Sequence, residues 1–174
     1  VTMFEERMAL NERAEACFAT ASGMSAVFAS LLSYLKSGDH VVSSRSLFGG
    51  CYHIIDQLLP RYGIITHLID GTDLSQWEQH ITNKTKCIFL ETPSNPTMEI
   101  VDIKSVARIA HKSNALVIVD NIFASPVLQK PMDLGADIVV YSGTKHIDGQ
   151  GRSMGGAILS SKRHYEEYLE PFIR

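Results

Sequence analysis

The sequence predicts an α/β protein, a three-layer α/β/α sandwich in which helices cover both faces of a mostly parallel (mixed) sheet. Apolar runs of strand length alternate with helical segments through most of the 174 residues. Some of these runs, such as residues 116–119, contain only apolar side chains, which is typical of strands buried on both faces. The connections are short, and short right-handed crossovers favour parallel strands. A chain of this length can bury one good core, so residues 1–174 are predicted to form one domain.

The individual elements follow from local patterns along the chain. The helix predicted at 26–35 is apolar almost all round and should be buried, whereas the helix at 102–113 carries its apolar side chains on one face. Pro60 is expected to help close a helix that begins near Cys51. Further helices are predicted at 3–13, 76–81 and 162–169. Strands are predicted at 16–20, within 38–44, and at 64–69, 86–91, 116–121, 138–141 and 155–160.

Composition and charge argue against several classes of protein. The formal net charge is −3, and the lysines and arginines are scattered, which argues against a nucleic-acid or membrane-surface partner. No apolar stretch reaches transmembrane length, and the first residues lack the layout of a signal peptide. Cys17, Cys51 and Cys87 stand alone, without a Cys-x-x-Cys motif or a histidine cluster. We therefore expect no metal site, reduced thiols and a cytoplasmic location.

The strongest chemical signal lies where the apolar run 138–141 ends in Ser-Gly-Thr-Lys. Ser142 and Thr144 are two residues apart, so an extended segment places both hydroxyls on the same side, where they suit a phosphate. Lys145, in a partly dry pocket, would lose its proton and form a Schiff base with an aldehyde. A phosphate and an aldehyde together indicate pyridoxal 5′-phosphate. The alternative is an ordinary solvated lysine after a strand.

A second phosphate-binding signal follows the first predicted strand. Residues 22–24 (S-G-M) connect that strand to the buried helix. Free N–H groups and the dipole at a helix N-terminus attract anions, so Gly23 and Met24 are candidate phosphate ligands. The alternative is an ordinary strand–helix turn with Ser22 as N-cap.

Three further residues suit the ring of such a cofactor. Phe48 precedes a glycine pair, so its ring can stack on a flat ligand that approaches closely. Asn95 is held between two prolines and can hydrogen-bond a phenolic oxygen. Asp120 ends an apolar strand, and its carboxylate can pair with a protonated pyridine nitrogen. The alternatives are a core or staple residue for Phe48, a turn residue for Asn95 and a loop cap for Asp120.

Four of these candidates share a position in the predicted topology. Gly23, Asn95, Asp120 and Lys145 each follow a predicted strand. If those strands are parallel, all four lie at the carboxyl edge of the sheet, where open α/β sheets bind ligands. Four separate weak motifs that converge on one cleft form a much stronger signal than any one of them.

Together these motifs resemble a known family. S-G-M at 22–24, E-T-P-S-N-P at 91–96, V-D-N at 119–121 and S-G-T-K-H-I-D-G-Q-G at 142–151 are similar to the Cys/Met-metabolism family of pyridoxal-phosphate enzymes. The resemblance covers essentially all 174 residues, in order. It implies the aspartate-aminotransferase-like fold, in which the chain corresponds to the large domain of fold-type I pyridoxal-phosphate enzymes.

The resemblance implies a role for each candidate residue. Lys145 would be the catalytic residue and would attach to the cofactor aldehyde. Asp120 would pair with the pyridine nitrogen, Asn95 would contact the ring hydroxyl oxygen, and Phe48 would stack on the ring. Many family members have tyrosine in place of Phe48, and phenylalanine lacks the hydroxyl that assists proton transfer. The phosphate would be held by four residues, Gly23, Met24, Ser142 and Thr144.

S-L-F-G-G-C at 46–51 and T-K-H-I-D-G-Q-G-R at 144–152 are most similar to the O-succinylhomoserine sulfhydrylase subgroup. This similarity implies γ-replacement, in which sulfide replaces the acyl group of an O-acylhomoserine to give homocysteine. It also implies an amino-acid substrate and a homo-oligomer, a dimer of dimers with shared sites. Family members carry an N-terminal arm and a C-terminal domain that residues 1–174 do not include. We therefore expect the cofactor-domain core of a longer enzyme, which by itself binds cofactor weakly and turns over little.

Other functions remain open. Within the family, the alternatives are cystathionine γ-synthase and a methionine or cystathionine γ-lyase. The α/β pattern alone also fits a dinucleotide-binding domain, but no G-x-G-x-x-G motif follows the first strand. A non-catalytic assembly fragment would expose extended apolar faces.

Overall fold

The computed structural model describes residues 1–173, and within them the strands form one seven-stranded sheet in the spatial order β1-β7-β6-β5-β4-β2-β3. The five strands from β6 to β3 are parallel, whereas β7 is antiparallel to both of its neighbours, β6 and β1. This confirms the mostly parallel, mixed sheet. The strands are β1 Ala16–Thr20, β2 His40–Ser44, β3 Ile65–Ile69, β4 Thr85–Glu91, β5 Leu116–Asp120, β6 Ile138–Ser142 and β7 Gly156–Ser160.

Helices connect most of these strands. The longest are α1, Thr2–Glu12, α2, Gly23–Leu32, and α5, Ile103–Lys112. Helix α3 comprises Gly49–His53, a π-helical turn Ile54–Leu58 and Leu59–Arg61, and helix α7 is similarly composed of Lys162–His164, Tyr165–Leu169 and Glu170–Ile173. Shorter elements are α4 Leu74–His80, α6 Ser125–Leu128, the 3₁₀ turn Pro131–Leu134 and the π-helical turn Gly143–Ile147. No helix in the described residues is long and apolar enough to cross a bilayer.

The sheet has a hydrophobic core on each face, because successive side chains of a strand point to opposite sides. On one face, Val117 and Val119 of β5 belong to the same apolar cluster as Val106 of α5. On the other face, Ile118 clusters with Val27 of α2. Both faces are therefore covered by helices, which confirms the three-layer sandwich.

The antiparallel strand β7 determines the direction of β1. Because β7 is antiparallel to β6 and β1 is antiparallel to β7, β1 runs in the same direction as β6. The carboxyl ends of β1, β4, β5 and β6 consequently lie at the same edge of the sheet. This is the arrangement on which the predicted convergence of strand ends depends.

Helix α2 begins at Gly23, three residues earlier than predicted. Ser22 caps it, since its Oγ accepts a hydrogen bond from the Ser25 N–H at 3.1 Å. In return, the Ser25 Oγ accepts a hydrogen bond from the Ser22 N–H at 2.9 Å. This capping box satisfies polar groups at the helix start and brings Gly23 and Met24 into the first turn.

Helix α3 continues past Pro60 to Arg61, so the prediction that Pro60 helps close the helix is wrong. Proline has no N–H to donate to a carbonyl four residues earlier. The helix accommodates this with the π-helical turn Ile54–Leu58, in which the Leu59 N–H bonds to the carbonyl of Ile54.

Candidate active site

A cavity of about 770 Å³ opens at the carboxyl edge of the sheet, and all the residues predicted for the site line it. A second cavity, of about 510 Å³, lies at the opposite edge and contains none of them. The fold therefore brings together side chains that are far apart in the sequence. The predicted residues on the wall of the larger cavity are Gly23, Met24, Phe48, Asn95, Asp120, Ser142, Thr144 and Lys145.

The first turn of α2 lies against the end of β6. A Cβ atom on Gly23 would be 2.6 Å from the Cβ of Ser142, so only glycine allows this close packing. The N–H groups of Gly23 and Met24 have no acceptor among residues 1–173. These two free donors, at the positive end of a helix dipole, make this corner of the cavity suited to an anion.

The chain turns immediately after Ser142, so the extended geometry predicted for Ser142 and Thr144 is wrong. Gly143 donates a backbone hydrogen bond to the Gly155 carbonyl at 2.7 Å, and residues 143–147 form a π-helical turn. The Thr144 Oγ1 accepts a hydrogen bond from the Gly155 N–H at 3.2 Å. The turn nevertheless leaves both hydroxyl-bearing residues on the cavity wall.

Lys145 lies inside this turn with φ −91° and ψ −116°, values outside the helical region. It lines the cavity, and its carbonyl accepts a hydrogen bond from the Gly149 N–H at 2.8 Å, whereas its Nζ makes no hydrogen bond or ion pair within the described residues. Its side chain is exposed, so the expectation of a partly dry pocket is wrong for this lysine. The neighbouring residues His146, Gly149 and Gly151 are exposed as well.

Asp120, the last residue of β5, is only 6% exposed. Its Oδ1 accepts a hydrogen bond from the Ile122 N–H at 3.1 Å, and the Cys51 thiol lies 3.7 Å from its Oδ2. Burial raises the pKa of Asp120 to about 6, although both hydrogen bonds act to lower it. Its ionised form is therefore costly without a cationic partner, and no cation pairs with it among residues 1–173. A buried carboxylate of this kind is suited to a cationic ligand group.

Phe48 and Asn95 are the two remaining predicted residues on the cavity wall. Phe48 is 45% exposed and lines the cavity, so its alternative interpretation as a core residue is wrong. A Cβ on Gly50 would be 3.0 Å from the Phe48 ring and 2.9 Å from the Met24 sulfur, so the glycine permits their close approach. Asn95 is half-buried and is followed by one of two cis prolyl bonds, Asn95–Pro96.

Glu91, which ends β4, is not among the residues that the sequence predicts for the site. Glu91 is fully buried, lines the cavity, and accepts a hydrogen bond from the Phe48 N–H at 2.5 Å. Cys51 was not predicted as a site residue either, but it lies on the cavity wall beside Asp120. The available signal for Glu91 was its position, a charged residue at the end of an apolar strand and inside a motif already identified.

Asn121, another unassigned residue, is fully buried and anchors the segment after Asp120. Its Nδ2 donates to the Tyr141 hydroxyl at 2.6 Å and to the Gln129 carbonyl at 2.9 Å. Its Oδ1 accepts from the Gln129 side chain at 2.8 Å. This network fixes the chain that leaves β5 and therefore the backbone next to Asp120.

Comparison with known proteins agrees with this geometry. The family model described as Cys/Met metabolism PLP-dependent enzyme matches residues 1–173. An O-succinylhomoserine sulfhydrylase from Mycobacterium tuberculosis is 52% identical over 174 residues, which are 100% of this chain and 43% of the relative. An L-methionine gamma-lyase from Fusobacterium nucleatum subsp. polymorphum is 42% identical over 162 residues, 92% of this chain and 41% of the relative.

A solved structure shows the same fold. The crystal structure of metB from Corynebacterium glutamicum superimposes with a TM-score of 0.91 at 37% identity, covering 95% of this chain and 43% of the other. The chain therefore spans less than half the length of these relatives. On the sequence match, the superposition and the cavity at the strand ends, it belongs to the Cys/Met metabolism family of PLP-dependent enzymes, whose cofactor is pyridoxal 5′-phosphate.

Proposed function

We propose that the protein containing this chain is a PLP-dependent enzyme that replaces the acyloxy group of an O-acylhomoserine with sulfide, so that the Cγ–O bond breaks, a carboxylate leaves and homocysteine forms. The observation that carries this proposal is the convergence of Lys145, Asp120 and the free N–H groups of α2 on one cavity. Similarity to O-succinylhomoserine sulfhydrylases, at 52% identity, favours the succinylated substrate.

The residues of the cavity fit the cofactor. Pyridoxal phosphate carries an anion, a basic ring nitrogen and an aldehyde. The N–H groups of Gly23 and Met24, which lack acceptors in the described chain, match the anion. The buried carboxylate of Asp120 matches a protonated ring nitrogen. The amine of Lys145, which no other described residue engages, matches the aldehyde.

The remaining contacts follow from the same cavity. We assign the Ser142 and Thr144 hydroxyls to the phosphate, beside the first turn of α2. We assign Phe48 to stacking on the ring and Asn95 to its hydroxyl oxygen. These assignments retain the roles expected from the sequence, and they rest on the shared cavity wall.

The bound cofactor supplies an aldehyde that condenses with amines and a ring that withdraws electrons. Lys145 performs the chemistry of the protein. Its Nζ would hold the cofactor and, as a free amine, would accept the proton that leaves the substrate α-carbon. The Asp120 carboxylate would hold a protonated ring nitrogen and so sustain the electron demand of the ring. Exposure of Lys145 at the cavity mouth leaves its side chain room for both tasks.

A γ-lyase is the second candidate, because L-methionine gamma-lyases match 92% of this chain at 42% identity. Product analysis separates the candidates. With O-succinylhomoserine, a sulfhydrylase gives homocysteine when sulfide is present. A cystathionine γ-synthase gives cystathionine when cysteine is present, and a γ-lyase releases a keto acid with neither nucleophile.

The cofactor assignment is tested with the variant Lys145→Ala. We expect wild-type protein to develop the visible absorbance of a lysine-bound cofactor when pyridoxal phosphate is added, and K145A to lack this absorbance and all turnover. Lys162→Ala is the control, since this exposed lysine lies on α7, does not line the cavity, and within residues 1–173 its side chain forms one ion pair, with Glu166 at 3.8 Å. A K145A protein with the wild-type absorbance would refute the assignment.

Further parts of the proposal concern the whole protein. We propose that this chain is the PLP-binding large domain of a longer homo-oligomer, a dimer of dimers, and that it has little activity alone. The cysteines of the described chain are free and buried, which favours a reducing compartment, and we propose the cytoplasm. Size-exclusion chromatography and activity of the chain and of the complete protein test these points.

A further inference from the structure

Glu91 has no assigned role, although it lies at the centre of the site. It is the last residue of β4, and in the sheet it pairs directly with Asp120, the last residue of β5. Both side chains are buried and both line the cavity. Two carboxyl groups therefore lie side by side where the cofactor ring is proposed to bind.

The carboxyl group of Glu91 connects two segments that flank the cavity. Its Oε2 accepts a hydrogen bond from the N–H of Phe48, the residue that leads into α3. Asn95 lies in the loop that follows β4, four residues after Glu91, and lines the same cavity. One buried side chain thus joins the end of β4 to the backbone of the proposed stacking residue.

The second oxygen of Glu91, Oε1, is buried and has no partner among residues 1–173. An ionised carboxylate with an unpaired oxygen is expensive to bury, and a second negative charge on Asp120 adds to the cost. Burial is the largest cause, and Asp120 the next, of a rise in the pKa of Glu91 to about 8. A neutral acid with its proton on Oε1 would avoid both costs and leave Oε2 to accept from Phe48.

We propose that Glu91 is a positioning residue whose buried carboxyl group, paired in the sheet with Asp120, holds the backbone of Phe48 in the arrangement that binds the pyridoxal ring. Neutrality leaves Asp120 as the negative charge at this edge, which matches one protonated ring nitrogen. The inference rests on the proposed function, because it assumes that the ring binds between these residues.

The neutral acid has a close isostere in glutamine, which keeps an acceptor and places an N–H donor where the acid has its O–H. Leucine has a similar size but offers neither group. We therefore compare Glu91→Gln and Glu91→Leu in the complete natural protein that contains this chain. Glu78, which is exposed on α4 and outside the cavity, supplies the matched controls Glu78→Gln and Glu78→Leu.

The first measurement is the affinity for pyridoxal phosphate, from a fluorescence or absorbance titration at pH 7. We expect E91Q to bind within about 3-fold of wild type, since it preserves the hydrogen bond to Phe48. E91L should bind about 10- to 100-fold more weakly, because it leaves the Phe48 N–H without its acceptor and frees the proposed stacking residue. Both Glu78 variants should match wild type.

The second measurement is the affinity for pyridoxal phosphate at several pH values between 7 and 9. If Glu91 had a merely structural role, wild type and E91Q would show the same pH dependence. We expect Glu91 to ionise over this range and add a second negative charge beside Asp120. The affinity of wild type for pyridoxal phosphate should therefore fall relative to that of E91Q as the pH rises. The other titratable groups that line the cavity are Cys51, Asp120, Tyr141, Lys145 and His146. Both proteins contain them, so a difference between the two pH profiles reports on Glu91.

Several outcomes would overturn the inference. E91L binding as tightly as wild type would exclude positioning, and E91Q binding as weakly as E91L would show that the charge is required. If E91L does not fold, as judged by thermal unfolding, an identical pH dependence of wild type and E91Q would decide against the inference. A wild-type protein without affinity for pyridoxal phosphate would instead contradict the proposed function, and the inference would fail with it.

Discussion

The close contact between α2 and β6 leads to a prediction about Gly23. In Gly23→Ala, the new Cβ would lie 2.6 Å from the Cβ of Ser142 and 3.0 Å from its Cα. Carbon atoms in contact are separated by about 3.5–4.0 Å, so the helix and the strand end must move apart by about 1 Å. Rotation of the Ser142 side chain cannot relieve the overlap, because one of the atoms is backbone and Ser142 is paired with Gly156 in the sheet. Overpacking of this kind costs about 1–3 kcal/mol.

Gly49→Ala is the matched control. Gly49 also begins a helix near the cavity, and a Cβ there would meet nothing within 4 Å. Alanine is the better helix former by up to about 1 kcal/mol, so G49A should be as stable as wild type or slightly more stable. Urea unfolding should show a lower free energy of unfolding for G23A only. In thermal unfolding the midpoint should fall by about 2–4 °C for each kcal/mol lost.

The affinity for pyridoxal phosphate is a second measurement that compares G23A with G49A. Displacement of Ser142 from the first turn of α2 separates two proposed phosphate contacts, so G23A should bind pyridoxal phosphate at least about tenfold more weakly, the equivalent of about 1.4 kcal/mol. G49A should retain its affinity. Equal stability and equal affinity of G23A and G49A would refute the packing argument.

Two further predictions concern the buried polar network behind the site. Asn121→Leu removes the hydrogen bonds to Tyr141 and Gln129 and should lower the free energy of unfolding by about 1–3 kcal/mol, measured in urea; a loss below about 0.5 kcal/mol would contradict the anchoring role. Burial raises the pKa of Glu12, which accepts a hydrogen bond from the Tyr141 hydroxyl, to about 7 from an ordinary value of 4.5. A raised acid pKa contributes stability that is complete below pH 4.5 and is lost as the pH rises through about 7. Wild type should therefore lose stability relative to Glu12→Gln between pH 4.5 and pH 8, and parallel stability curves for the two proteins would contradict this.

Most of the secondary structure could be predicted because it depends on local patterns. The strand 16–20 has the predicted bounds, and the strand 116–121 ends one residue early, at Asp120. An apolar run bounded by polar or small residues carries this information in its own side chains. The helix 49–61 is different, because the π-helical turn that accommodates Pro60 has no recognisable local pattern.

The candidate site was also largely predictable, for a topological reason. Gly23, Asn95, Asp120 and Lys145 follow strands, and strands that run in one direction end at one edge. The sequence therefore indicated which residues would meet, before any distance was known. The environment of Lys145 was not predictable, since it depends on which elements extend beyond the sheet edge and cover the turn.

Local residue patterns therefore determined the elements, the fold class and the residues that converge on the cavity. Only the tertiary structure decided that β7 lies antiparallel between β6 and β1, and that β4 pairs with β5 so that Glu91 meets Asp120. The contact between Glu91 and Phe48 likewise joins residues 43 positions apart. Backbone preferences and apolar periodicity act over a few residues, whereas strand order and register depend on the packing of the whole sheet.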